Sequence, residues 1–182
     1  MVLTVKEAQV GMLDILNSTL LSIDLSSIGR PSILEPCGMT RQDGRRPDGV
    51  TLFPWKQGKP LVWDVTCVST LARSNLQHST ISPGGAAAQA KVNKRVKYSD
   101  LADSYMFTPL GFETIGDWGP STLQFVRELG TLLTEATGER RSTSFLKQRL
   151  SIAIQRGNAA SVRGTVPEGG SLMELFHLPY KG

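Results

Sequence analysis

The segment GRRPDGVTLFPWKQGKPLVWDVTC, Gly44–Cys67, decides the fold of this chain. Two apolar runs flank KQGK, where Gly58 suits a tight turn, so the segment predicts a β-hairpin. Asp48 and Asp64 stand near its two ends, and Asp64 lies within LVWDVTCV, a run typical of a buried strand. A carboxylate in such a strand is unfavourable unless it is paired, hydrogen-bonded or bound to a metal ion. The two aspartates are therefore the first candidates for a functional site.

The residues on either side of the hairpin predict a mixed α/β (α+β) domain. Apolar residues at helical spacing predict a helix at 5–22, and SILEP predicts a short strand. After the hairpin we expect an irregular connection at 72–85, a helix that begins with AAAQAK, and a strand at 105–114 that Pro109 interrupts. The order is therefore helix, strand, hairpin, helix and strand, followed by C-terminal helices.

The last third of the sequence predicts two amphipathic helices and a tail. Pro120 suits the first position of one helix, and Gly138 suits its end. The second helix is expected to end at Gly157, and the glycines and prolines beyond it predict a loosely ordered tail. We divide the chain into an N-terminal helix and linker at 1–30, one domain at 31–165, and the tail at 166–182.

Composition narrows the class of protein. The 182 residues suit one domain, and 40% hydrophobic with 20% charged residues is ordinary for a soluble globular protein. No apolar run reaches the length of a membrane span, so we expect no membrane partner. Two cysteines are too few for a disulfide framework, which predicts reduced thiols and an intracellular location.

Basic residues concentrate in two segments that contain no acidic residue. Four lie between Gly84 and Ser99, and six lie between Arg140 and Arg163, in a chain whose net charge is +4. Segments of this kind suit a polyanion such as nucleic acid. Solvated helix faces explain them equally well.

The aspartate pair indicates a metal site. A hairpin folds the fifteen residues between Asp48 and Asp64 back on themselves, so the two carboxylates can approach each other. Mutual repulsion would raise the pKa of one of them unless a cation lies between them. Mg²⁺ binds through one or two carboxylates and can activate a water and stabilise the leaving oxygen of a phosphodiester.

A lysine-rich helix follows the hairpin. Lys91, Lys94 and Lys97 are spaced three apart and therefore share a broad helix face. Tyr98 follows Lys94 by four residues and lies beside it. An ammonium group from this face could orient a water or stabilise the charge that develops on a phosphate.

Together, RRPDGVTLFPWKQGKPLVWDVTC and NKRVKYSDLA resemble the restriction-like endonuclease of site-specific non-LTR retrotransposons, a branch of the PD-(D/E)xK superfamily. In that branch Pro-Asp precedes a strand aspartate, and the lysine has moved to the next helix as Lys-x-x-Lys-Tyr. The matching residues are Pro47-Asp48, Asp64 and Lys94-Arg95-Val96-Lys97-Tyr98. RSTSFLKQRLSIAIQRGNAASVRGT is similar to the C-terminal part of reverse-transcriptase-related open reading frames of animal genomes.

The resemblance implies a restriction-endonuclease-like core of order α-β-β-β-α-β with additional C-terminal helices. It implies a DNA endonuclease that uses Mg²⁺ or Mn²⁺ and nicks a chromosomal target in the nucleus, with element RNA as a further partner. Asp48 and Asp64 would hold the metal, Glu35 is a third candidate ligand, and Lys94 and Lys97 would assist. Candidate DNA-binding residues are Arg45, Arg46, Lys91, Arg95, Tyr98, Arg140, Arg141, Lys147, Arg149 and Arg156.

The same residues also allow other interpretations. Asp48 could simply belong to a PDG turn, and Asp64 could be paired with Arg45 or Arg46. Glu35 could be an exposed strand end. The chain has no room for a polymerase and no Cys/His spacing for a zinc knuckle. An inactive nucleic-acid-binding relic of the same fold is therefore the alternative to an active nuclease, and an interaction domain without nucleic-acid affinity is a third hypothesis.

Overall fold

A computed structural model describes Leu16 and residues 22–39, 46–98, 101–115 and 117–165. Most of the helix expected at 5–22 and the whole of the tail at 166–182 lie outside these residues.

The described chain is a mixed α/β fold of four strands and five helices. The strands are β1 (Ser32–Leu34), β2 (Gly49–Lys56), β3 (Lys59–Val68) and β4 (Met106–Glu113). The helices are α1 (Ser22–Ser27), α2 (Arg73–Ile81), α3 (Gly85–Lys97), α4 (Pro120–Thr137) and α5 (Ser142–Thr165), and a 3₁₀ turn covers Cys37–Met39. Among the helices that the structure describes, none has both the length and the apolar character needed to cross a membrane. The mixed α/β class expected from the sequence is confirmed.

The four strands form one mixed sheet in the order β1-β2-β3-β4. β2 is antiparallel to both β1 and β3, whereas β3 and β4 are parallel. The predicted hairpin is thus β2 and β3, which a turn with Gly58 at φ 74° connects. Pro54 lies at a shift in the β2–β3 register, as expected for a proline at a bulge.

The sheet separates two layers of helices because its side chains alternate between its faces. Leu61, Trp63 and Val65 of β3 lie in the main core, which they share with residues of α4 and α5. Gly49 makes room for this packing, since a Cβ there would overlap the Trp63 indole. The intervening residues of β3, among them Asp64, point to the opposite face, where α3 packs.

Three local predictions were wrong. The connection after β3 contains the helix α2, which buries none of its residues and therefore leaves no apolar periodicity to detect. Pro109 does not interrupt β4, because β4 lies at the end of the described sheet and has few main-chain bonds to lose on its outer side. Gly157 does not end α5, which continues to Thr165 with Gly157 buried.

Candidate functional site

Asp48 immediately precedes β2. Its hydrogen bonds reach the two residues on either side of Asp64 in the neighbouring strand β3. The Asp48 N–H donates to the Trp63 carbonyl at 3.0 Å. The Val65 N–H donates to Oδ2 of Asp48 at 2.5 Å. Because Trp63 and Val65 flank Asp64, these two bonds fix the Asp48 carboxylate beside Asp64. The structure therefore brings together the two acids that the sequence pairs.

Asp64 is buried on the α3 face of the sheet and is paired with Lys94. The residue is only 6% exposed. The Lys94 ammonium forms an ion pair with Oδ2 of Asp64 and also donates a hydrogen bond to the Val65 carbonyl at 2.8 Å. Of the two arginines that could have paired with Asp64, Arg46 binds Glu35 instead and Arg45 lies outside the described residues. The cation that compensates Asp64 therefore comes from the lysine-rich helix.

Helix α3 is fixed against the sheet at its N-terminal end, and this determines where Lys94 reaches. Oε1 of Glu113, at the end of β4, accepts hydrogen bonds from the N–H groups of Ala86 at 2.9 Å and Ala87 at 3.2 Å. A Cβ at Gly111 would lie 2.8 Å from the Ala87 carbonyl oxygen, so only glycine allows this approach. Two helical turns beyond Ala87, Lys94 lies above β3.

Tyr98 joins the other end of α3 to the loop that carries Asp48. Its hydroxyl donates to the Arg46 carbonyl at 3.2 Å, and its ring lies 4.7 Å from that of Phe107. The residue is 1% exposed. The sequence singled out Tyr98 as a candidate DNA contact, but the structure places it as a support of the site.

Glu35 is adjacent to Asp48 through the main chain, and its side chain is exposed. Its N–H donates to the Asp48 carbonyl at 2.8 Å. Its carboxylate forms an ion pair with Arg46. The sequence named Glu35 as a third metal ligand, and that role stays a prediction.

The donor set at the centre of the site suits a hard divalent cation. In the described part of the chain, no group of three or more His, Cys, Asp and Glu side chains is arranged to hold a metal. The pair of carboxylates from Asp48 and Asp64 meets the smaller requirement of Mg²⁺, which keeps several waters. Oγ1 of Thr66, a buried oxygen on this face, has no hydrogen-bond partner among the described residues, whereas Oδ2 of Asp64 contacts the Lys94 ammonium. Oγ1 of Thr66 could therefore bind a water of a hydrated ion.

The remaining candidate DNA contacts on α3 lie on the same side of the sheet as the site. Arg95 is exposed, and Lys91 is partly buried. Desolvation by burial lowers the pKa of Lys91, and the charge of Arg95 lowers it further. The side chain of Lys97, the last residue of α3, lies outside the part that the structure describes.

The candidates in and before α5 lie in the layer on the other side. Arg140, Arg141 and Arg156 are exposed, and Lys147 is partly buried. Arg141 lies 3.5 Å from Glu139, and its guanidinium is 4.9 Å from the centre of the Phe145 ring. Arg149 donates to Oδ2 of Asp24 at 2.7 Å and therefore connects α5 to α1. The two basic segments thus belong to opposite layers of the fold.

Two features of the site were not found from the sequence. Glu113 is an acid in an apolar strand, the same signal that identified Asp64, but its partners are main-chain N–H groups that no sequence motif marks. A pocket beside β4, lined by Trp55, Arg95 and Phe107 among others, was also missed. Its signal would have been the aromatic and basic residues near the tip of the hairpin.

Comparison of the chain with protein-family models gave no match, and neither did comparison with curated proteins. The site is therefore interpreted from its own geometry and chemistry.

Proposed function

We propose that this chain is a metal-dependent DNA endonuclease domain of the PD-(D/E)xK kind, derived from a non-LTR retrotransposon, that nicks its target by hydrolysing a phosphodiester. The observation that carries the proposal is the convergence of three side chains, those of Asp48, Asp64 and Lys94, around Asp64-Val65 of β3. Asp48 accepts from the Val65 N–H, Lys94 donates to the Val65 carbonyl, and Lys94 also pairs with Asp64. Asp48 lies just before β2, Asp64 lies in β3 and Lys94 lies in α3.

The order of elements supports the same proposal. A helix, three antiparallel strands, a helical crossover and a parallel fourth strand follow one another along the described chain. This order is compatible with an α-β-β-β-α-β core to which α2 has been added in the crossover. The two C-terminal helices are compatible with the additional helices that the resemblance implies.

In the proposed reaction Asp48 and Asp64 would hold Mg²⁺ or Mn²⁺, which when bound supplies an activated water and neutralises charge on the phosphate. Asp48 is fixed by its bond to Val65, so its carboxylate needs little reorganisation to act as a ligand. Lys94 would carry its ammonium to the phosphate and stabilise the negative charge that develops there. The water oxygen forms a bond to phosphorus while the bond to the 3′ oxygen breaks, which leaves a 5′ phosphate and a 3′ hydroxyl.

A plasmid-nicking assay with Mg²⁺ tests the proposal. The wild type should convert supercoiled DNA to the open circular form, and both Asp64→Asn and Lys94→Met should lower the rate by about a hundred-fold or more. Lys147→Met, in the opposite helix layer, is the matched control and should nick at nearly the wild-type rate. Absence of nicking by the wild type, or equal nicking by wild type and Asp64→Asn, would refute the assignment.

One observation favours an inactive nucleic-acid-binding module as the second candidate. The charge of Asp64 is already compensated by Lys94, so the buried acid is satisfied by the protein itself. A relic of the nuclease could keep this pair for stability alone. It would bind DNA in a salt-dependent manner, give no nicking with Mg²⁺ or Mn²⁺, and keep its affinity in the Asp64→Asn variant.

A further inference from the structure

A pocket of about 260 Å³ lies at the edge of the sheet formed by β4. Its walls come from four parts of the fold: the hairpin, β4, α3 and α4. The residues that matter here are Trp55, Lys56, Arg95, Phe107, Gln124 and Glu128. The pocket is therefore built by tertiary packing and does not belong to a single loop.

Two aromatic rings on the pocket wall each pack against a buried ring. The Trp55 ring lies 5.8 Å from that of Phe125, which is 4% exposed. The Phe107 ring lies 4.7 Å from that of the buried Tyr98. Both Trp55 and Phe107 remain partly exposed. Rigid, partly exposed rings of this kind are suited to stacking against a planar ligand.

The charged groups of the pocket leave one cation available for an anion. Lys56 donates to Oε2 of Glu128 at 2.6 Å, and Gln124 donates to Oε1 of the same carboxylate at 3.2 Å. Glu128 is thus neutralised. Arg95 forms no ion pair with any residue that the structure describes. A guanidinium beside stacking rings matches a ligand that combines a planar ring with a phosphate.

The pocket is connected to the candidate active site through α3. Arg95 follows Lys94 directly, so the two side chains leave the same turn of the helix in different directions. Phe107 packs on Tyr98, whose hydroxyl bonds the Arg46 carbonyl in the loop before Asp48. A strand that occupies the site would therefore pass close to the pocket.

We propose that this pocket binds one unpaired nucleotide of the DNA strand, with its base stacked on Trp55 and Phe107 and a phosphate bound by Arg95. The choice of DNA as the polymer rests on the proposed function. The volume is below the roughly 300–1,000 Å³ of pockets for drug-sized ligands, which suits a single base. The pocket would give the protein a preference for DNA that is single-stranded or opened next to the cut.

The test is fluorescence anisotropy with a labelled single-stranded oligonucleotide and with the same sequence as a duplex, in the presence of EDTA. Gln124→Trp fills the pocket from an exposed position of α4, where a large side chain does not disturb the core. It should weaken single-strand binding by about ten-fold, the order expected for loss of one stacked base, and leave duplex binding nearly unchanged. Arg95→Gln should weaken single-strand binding more than Arg127→Gln, a change of an exposed arginine on α4.

The outcomes separate this inference from the proposed nuclease activity, because EDTA excludes metal-dependent cleavage. Selective loss of single-strand binding in Gln124→Trp supports the pocket even if the wild type never nicks a plasmid. No single-strand binding by the wild type, an unchanged single-strand affinity in Gln124→Trp, or equal weakening of single-strand and duplex binding by Gln124→Trp would each overturn it. Circular dichroism of each variant checks that the fold is kept.

Discussion

At the scale of single residues, the Asp64–Lys94 ion pair has a structural role beside the catalytic role that we propose for it. Removal of one member of a buried ion pair leaves the other charge uncompensated, which typically costs about 3 kcal/mol or more. We therefore expect Lys94→Met to lower the free energy of unfolding by about that amount. The double variant Asp64→Asn/Lys94→Met, which removes both charges, should recover a large part of the loss.

Urea denaturation of the wild type, the two single variants and the double variant gives the four free energies of unfolding of this double-mutant cycle. Lys147→Met serves as the control for loss of a lysine outside the pair. If the double variant is no more stable than Lys94→Met, the two side chains are not coupled in the way that the geometry indicates.

Glu113 is a second buried acid at the residue scale, and its partners are main-chain groups. It is 1% exposed and accepts from two N–H groups in the first turn of α3. Glu113→Ala leaves both donors buried without an acceptor, so the free energy of unfolding should fall by about 2–3 kcal/mol. Glu113→Gln keeps one acceptor oxygen and should lose less.

Chemical denaturation measures both Glu113 variants, with Glu135→Ala on the exposed side of α4 as the control. If Glu113→Ala lowers the free energy of unfolding no more than Glu135→Ala does, the hydrogen bonds that Glu113 accepts do not hold α3 in place. The nicking rate of Glu113→Gln adds a second readout, because displacement of α3 would move Lys94.

The sequence located the members of the site but not all of their partners. Asp48 and Asp64 could be recognised because a carboxylate beside large apolar residues is unusual, and Lys94 because its spacing matches a motif. The partner expected for Asp64 was a metal ion or, as the alternative, an arginine such as Arg45 or Arg46, since nothing local to β3 shows that the tertiary packing brings Lys94 over it. Glu113 was not identified for the same reason, since its partners are also brought to it by tertiary packing.

At the scale of elements, the contact between α1 and α5 depends on a buried carboxylate. Burial raises the pKa of Asp24 above its ordinary value of 3.8, and the charge and hydrogen bond of Arg149 oppose that rise. The native state therefore holds this proton to higher pH than the unfolded state does. The contribution of Asp24 to stability is greatest below 3.8 and falls as pH rises through the folded pKa.

The variant Asp24→Asn cannot titrate, so its stability relative to the wild type should increase as pH rises from about 3 to about 7. Urea denaturation at several pH values measures the difference. Arg149→Gln removes the opposing cation and should make the loss of stability with rising pH steeper than in the wild type. A constant difference between Asp24→Asn and the wild type across this range would contradict the assignment.

Elements with a buried face were the ones that the sequence predicted. β3, α4 and the start of α5 each contribute apolar side chains to the packed interior, and this leaves a periodic pattern. α2 contributes none, so its helical structure left no such pattern. Gly157 was expected to end α5 because glycine favours helix ends, but the helix continues through the buried Gly157 to Thr165.

At the scale of the whole molecule, the sheet places the two basic segments on opposite sides. α3 covers the face that carries Asp64, whereas α5 packs with α4 on the core face. A single duplex that reaches Asp48 and Asp64 would therefore lie along α3, and α5 would face away from it. The sequence could identify both segments but not their relation, which depends on how the strands are ordered.

The salt dependence of duplex binding tests this arrangement. Each phosphate contact contributes about 0.9 to the slope of log K against log salt concentration, so Lys91→Gln/Arg95→Gln should reduce the slope by about two. Lys147→Gln/Arg156→Gln removes the same charge from α5 and should change the slope by less than half as much. Each double variant loses two positive charges, so a general electrostatic effect would change the two slopes equally. If the two variants change the slope equally, or if the α5 variant changes it more, DNA does not bind along α3. The basic residues of α3 would then not serve the Asp48–Asp64 site.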